Sequence, residues 1–189
     1  IAVNDGWKAV WDRPEDVDYC LQLLQSAGHE NAAEACHKLQ QLASSQVVQR
    51  MELLGRQRLD VFMPLLLQAV TEAAAPSQTL LRIIPLVESV LRRTAYLLLL
   101  VESPPALKEL VVLCAASPWI SSQLSRHPVL LDELLNAASL YTTPEKAELH
   151  DELQQQILRI NNDDLEGHME ALRYFQQAHV LRVAASELV

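Results

Sequence analysis

The chain has little glycine: four in 189 residues, none in a Gly-rich run. That excludes a phosphate-cradling loop or a nucleophile elbow, which need closely spaced glycines for tight backbone approach. Three cysteines, Cys20, Cys36 and Cys114, are odd in number and far apart, with no C-x-x-C. A disulfide framework or a standard zinc pattern is therefore not expected, and buried reduced thiols in a cytoplasmic protein are. Aromatics are scarce at 5%, and Val/Ile/Thr alternation bounded by Asn-Gly or Asp-Gly turns is missing, which argues against sheet. The most apolar run, residues 95–101, is far short of the roughly 18 residues that span a bilayer. Cations are outnumbered too, 15 against 24 carboxylates for a net charge of −9, so phosphate backbones are repelled at long range and nucleic-acid binding is not expected.

What is present is Leu- and Ala-rich helical periodicity. It predicts an all-α fold, a multi-helix bundle of antiparallel helices with Pro-marked kinks and turns. The chain starts at Ile1 without an initiator methionine and ends in a helical pattern. The expectation is a fragment of a larger multidomain protein.

The stretch 113–135 reads as two short helices about a hinge. Ser117 caps the first with Pro118 at its first helical position, and Trp119, Ile120 and Leu124 fall near one face. Pro128 disfavours helical geometry at His127 and starts the second, whose Asp132 and Glu133 point outward. His127, Pro128 and Trp119 are the candidate hinge and interface residues.

Elsewhere, Trp7 and Trp11 share a face before Pro14, Asn31 caps a helix to about Ala43, and Gly55 is a soft break. Pro64 kinks a helix or begins a new one. Residues 73–77 form the clearest internal linker, which divides the chain into an N-terminal helical linker subdomain, 1–75, and a helical bundle, 76–189. Ser77 is expected to cap one long helix reaching Val101 with a bend at Pro85. Ser103-Pro104-Pro105 starts the next. Residues 137–143 read as a loop, Thr143-Pro144 as a helix start, and residues 161–164 as a polar turn before the last helix.

Four constellations have residue types that chemistry could use. Cys20, His29, Cys36 and His37 are metal-ligand types at the wrong spacing, because adjacent helical positions diverge by about 100°. A core thiol beside a surface imidazole is the favoured account. Glu15, Asp16 and Asp18, the pair Asp132 and Glu133, and the pair Asp163 and Asp164 suit helix ends and surfaces better than a magnesium site. Ser125, Arg126 and His127 are close in sequence but carry no nucleophile motif. Trp7, Trp11, Trp119 and Tyr141 are core residues or interface anchors. No catalytic, cofactor-binding or metal residue is assigned.

Three stretches then carry a resemblance: RMELLGRQRLDVFMPLLLQAV (50–70), RRTAYLLLLVESPPALKELVVLCAASPWISSQLSRHPVLLDELL (92–135) and MEALRYFQQAHVLRVAA (169–185). In this order they resemble the central region of the bacterial bifunctional glutamine synthetase adenylyltransferase/adenylyl-removing enzymes. The resemblance covers most of the chain from about Arg50 onward and is looser before it. It implies a parent nucleotidyltransferase that moves AMP from ATP onto a tyrosine of glutamine synthetase and removes it by phosphorolysis, using magnesium held by a Ser-Asp-x-Asp motif. That motif is missing from this sequence, so no catalytic residue carries over. The resemblance implies a non-catalytic helical segment between the two cores, with residues 76–189 leading into the adenylylating core, which itself lies outside the chain. Glutamine synthetase, the PII signal protein and the flanking cores are the implied partners, ATP and magnesium the implied cofactors of the parent only. A relay of glutamine and PII signals is the expected role. A passive spacer or a stand-alone helical adaptor domain is the alternative.

Overall fold

The computed structural model describes residues 5–188. Among them there are twelve α-helices, one 3-10 helix and no strand. The all-α expectation holds. The chain forms two compact units, Ile1–Leu131 and Asp132–Val189.

The first unit holds α1 (Asp5–Asp12), α2 (Val17–Ser26), α3 (Ala32–Ser44), α4 (Gln46–Gln49), α5 (Leu53–Val70), α6 (Pro76–Val90), α7 (Ala95–Glu102), α8 (Pro104–Ala116) and α9 (Pro118–Arg126). Helix α6 is its centre, packed by α3, α5, α7, α8 and α9. Leu80, Ile83, Ile84, Leu86, Val87 and Val90 are all buried, an apolar arc too wide for one neighbour to cover. Local signals set most boundaries. Asp16, Asn31, Ser45, Ser103 and Ser117 each accept a hydrogen bond from the backbone N–H three residues on, satisfying donors that a helix start leaves open. Gly28 follows α2 with φ +83°, the left-handed geometry that ends helices and that glycine adopts without strain.

Some element boundaries in this unit differ from those expected. The division at 75/76 falls inside it, because α6 packs directly on α3 and α5; residues 73–77 are a turn within one core. The long helix ending at Val101 is two helices. Its break at 91–94 is a tight turn, Arg93 N–H to Val90 O at 2.8 Å, pinned by α5, whose Arg58 donates to Thr94 Oγ1 at 3.1 Å. Gly55 is not a break but sits within α5, where a Cβ would lie 3.3 Å from Thr94 Cγ2. Pro64 and Pro85 are carried inside α5 and α6. Each removes one ladder hydrogen bond, and the burial of the residues around them offsets that loss.

The segment Pro128–Leu135 is a 3-10 helix, not the second α-helix expected. Its three-residue period aligns Leu131 with Leu134, both buried, and leaves Leu135 53% exposed. The division between the units falls within it.

The second unit contains α10 (Ala137–Leu140), α11 (Lys146–Leu158) and α12 (Leu165–Ser186). The expected loop at 137–143 thus includes a helical turn, capped by Asn136. Helix α11 begins two residues after Pro144, where Glu148 accepts the Glu145 N–H at 2.8 Å and does the work expected of Thr143. Asp164 caps α12 through the Gly167 N–H at 2.8 Å. Helix α12 packs on both α10 and α11.

Candidate functional site

Polar side chains gather in two places, one in each unit. In the first, the N-terminus of α6 is closed by a residue far away in sequence. Glu30 accepts from Ser77 N–H at 3.1 Å and Gln78 N–H at 2.8 Å. Burial pushes the Glu30 carboxyl up, but these backbone donors outweigh it and hold it below the usual carboxylate range. Ser77 is fully buried and is not the cap. Pro76 takes the first helical position, and the Ser77 hydroxyl instead meets His29 Nδ1 at 3.0 Å and the Asn31 N–H at 3.1 Å.

The other His29 nitrogen, Nε2, is buried without a hydrogen-bond partner. Desolvation lowers the His29 pKa from 6.5, against an opposing pull from Glu30. The folded state therefore binds fewer protons than the unfolded one below that value. The stability tied to neutral His29 is complete above about pH 6.5 and is lost as pH falls below it. Melting of the protein at pH 5.5 should therefore occur at a lower temperature than at pH 7.5. His29→Asn should remove that share of the slope, and an unchanged slope would exclude His29 as its source.

The second cluster joins the start of the second unit to α12. Tyr174 donates to Glu133 Oε1 at 2.7 Å, and Arg182 donates Nε–H to Glu133 Oε2 at 2.9 Å with Nη2 also 2.9 Å away. Burial first, then the Glu133 hydrogen bond, push the Tyr174 phenol up. Glu152 lies 3.8 Å from Arg182 and 3.3 Å from His179 Nε2, the latter contact lacking hydrogen-bond alignment. Glu133 was expected on the surface; its side chain is 9% exposed. No local pattern could have found this partner. The only hint is that Tyr174 and Arg182 stand eight residues apart on one helix.

The expected candidates do not assemble into a reactive site. Cys20 and Cys36 are buried beside each other, burial and then the Cys36 contact raising the Cys20 thiol pKa. His37 is exposed and His29 turns to Ser77. No group of three or more His, Cys, Asp or Glu among the described residues is arranged to hold a metal. The Ser125 hydroxyl donates to Ser121 O at 2.8 Å, a helical back-bond. Burial raises the Cys114 thiol pKa to about 12, while Arg82 pulls it down. Arg82 donates to the carbonyls of Cys114 and Ala115 at 3.0 and 2.8 Å and so closes the C-terminus of α8. Trp7 and Trp11 are core residues, whereas Trp119 is 45% exposed. A cleft of about 880 Å³ runs between the end of α5, residues 72–74, and α7–α8, with Gln68, Glu72 and Lys108 as its charged or amide lining.

Residues 107–189 match the family model for glutamate-ammonia ligase adenylyltransferase. The chain is 53% identical over 182 residues to the bifunctional glutamine synthetase adenylyltransferase/adenylyl-removing enzyme of Hahella chejuensis, covering 96% of this chain and 19% of that protein. It is 48% identical over 188 residues to the enzyme of the same name from Pseudomonas putida, covering 100% of this chain and 19% of that one.

The chain belongs to the glutamate-ammonia ligase adenylyltransferase family. It spans about a fifth of the length of the curated relatives it matches. The adenylyltransferase family model covers α8 onward, and the relatives extend the likeness through α1. Both compact units therefore belong to this adenylyltransferase segment. None of its helices, among the described residues, is long and apolar enough to cross a membrane.

Proposed function

We propose that this chain is a non-catalytic helical segment linking the deadenylylating and adenylylating cores of the enzyme that reversibly adenylylates glutamine synthetase in nitrogen regulation. The observation that carries the reading is the use made of its polar groups. Glu30 and Arg82 are occupied in closing helix ends, Glu133 in a buried clamp, and Ser77 in hydrogen bonds to His29 and the Asn31 N–H. The relatives' shared name supplies the parent reaction and its protein substrate. ATP and magnesium belong to the parent in this proposal. The residues described here offer no fitting donor set for the metal, and no step is assigned to it. The protein would work in the cytoplasm.

The segment relays glutamine and PII signals between the cores. What supports a relay over a passive spacer is the division of the chain inside the 3-10 helix that Pro128 begins, since coupling needs an element with two arrangements. Pro128→Ala in the parent enzyme should leave both basal activities within about twofold while reducing the response to glutamine or PII at least about fivefold. Measuring both activities across effector titrations tests it. Unchanged responses would leave a spacer.

A further inference from the structure

Helix α12 presents two apolar faces. Ala178, Leu181 and Ala185 are buried on one. On the opposite side Leu165, Met169, Leu172, Gln176, His179 and Val183 follow one another at steps of four, three, four, three and four, the spacing of a seam between packed helices. Leu165 is 72% exposed, Met169 and Leu172 45% each and Val183 50%. The stripe runs about 27 Å along the helix and includes no Asp, Glu, Lys or Arg.

Its neighbour in the second unit is short of cover as well. Helix α11 repeats Leu149, Leu153 and Ile157 at steps of four, all only half-buried, and it buries no side chain fully. His179 is where the two helices meet, its Nε2 3.3 Å from Glu152. Two helices that both have apolar side chains left over are an incomplete bundle, and a third helix laid along them completes it. Monomeric soluble proteins rarely leave a large contiguous apolar patch in water. Transient partners meet surfaces of mixed charge, whereas an uncharged apolar strip suits a permanent contact. The chain spans 19% of each of the two matched relatives. The rest of the parent polypeptide is thus the nearest source of a covering helix, held at high effective concentration by the chain itself.

We propose that the exposed stripe of α12 is the seat of a helix that the parent's own polypeptide supplies from outside residues 1–189, packed lengthwise over Leu165, Met169, Leu172 and Val183. The occupant carries a matching row of Leu, Ile, Val or Ala at three- and four-residue steps. Gln176, polar and central in the seam, fixes its register. The inference rests on family membership and not on the relay proposed above, because a passive spacer would need the same cover.

The test uses the full-length parent enzyme with the photo-crosslinking residue p-benzoylphenylalanine in place of Leu172, of Val183 or, as a control, of Glu170. Glu170 is exposed and lies about 120° around the helix from the stripe. Irradiation in dilute solution, with glutamine synthetase and PII left out, should link positions 172 and 183 within one molecule to a peptide outside residues 1–189, and position 170 in much lower yield. Leu172→Ser with Val183→Ser should raise hydrogen exchange in that peptide at least about tenfold. Both side chains are exposed, so circular dichroism should keep the wild-type helix content. The proposal is overturned by links confined to residues 1–189, by equal yield from position 170, by links that form only after glutamine synthetase or PII is added, or by exchange that ignores the two substitutions. A failed relay, read from Pro128→Ala, leaves each of these outcomes as informative as before.

Discussion

Replacing Glu133 by alanine should destabilise the protein by about 3 kcal/mol, in the range found when one partner of a buried ion pair is removed. Two donors lose their acceptor at once. The Arg182 side chain is 16% exposed and stays charged, and Tyr174 is half-buried with its hydroxyl aimed at the missing carboxylate. The apolar core around them is small. In the second unit Leu134, Leu140, Ala178, Leu181 and Ala185 are buried, while α11 buries no side chain fully. With so little apolar burial, the polar clamp carries an unusual share of what fixes α12. Glu133→Gln keeps one carbonyl acceptor and should cost about half as much, because the hydrogen bond to Tyr174 survives while the charge pairing does not. Urea unfolding of the three proteins gives the ordering, and hydrogen exchange should show the loss concentrated in α12. Equal midpoints for the alanine and glutamine variants would mean that Arg182 and Tyr174 find water or other partners when Glu133 is gone.

That clamp marks where sequence reading stops. A cap acts over three residues, so Asn31, Ser103 and Ser117 announce their helices locally, and the structure places them as expected. Burial periodicity is local as well, and Leu80, Ile83, Val87 and Val90 are core residues in both views. Prolines are ambiguous because their cost of about 3 kcal/mol is set against packing that only the folded chain has. Pro14 and Pro128 stop helices, yet Pro64 and Pro85 ride inside them. Ser77 looked like a cap by residue type. Glu30, 47 residues earlier, does that job, and it leaves the serine to His29. The turn at 91–94 is equally nonlocal, as it depends on Gly55 and Arg58 reaching Thr94 from another helix. Family membership was legible because the leucine-rich stretches carry a specific order of Pro, Trp, Arg and His. The clamp was not, since Glu133 precedes Tyr174 by 41 residues and no spacing rule links them.

The tryptophans offer the second large effect. Trp11→Ala should cost about 3–5 kcal/mol, as truncations of buried aromatic residues do. Trp11 is 2% exposed and Trp7 equally so. Four residues apart, they set one face of α1 against the first unit, and α1 packs chiefly on α5. The ring also reaches across: Nε1–H donates to Asp60 Oδ1 at 2.8 Å, the same oxygen that holds Arg56 Nε at 2.8 Å. Trp11→Phe keeps most of the apolar burial and drops the donor together with the small ring that carries it. Asp60 still has Arg56, so the loss should be about 1 kcal/mol. A gap of at least about 2 kcal/mol between the two variants therefore separates packing from hydrogen bonding. If α1 were an appendage resting on the bundle, Trp11→Ala would speed proteolysis near Arg13 and leave the urea midpoint alone. If α1 belongs to the core, as the burial of Trp7, Val10 and Trp11 requires, the midpoint falls and hydrogen exchange accelerates in α5 as well as α1, because α5 loses cover on the side where α1 packs.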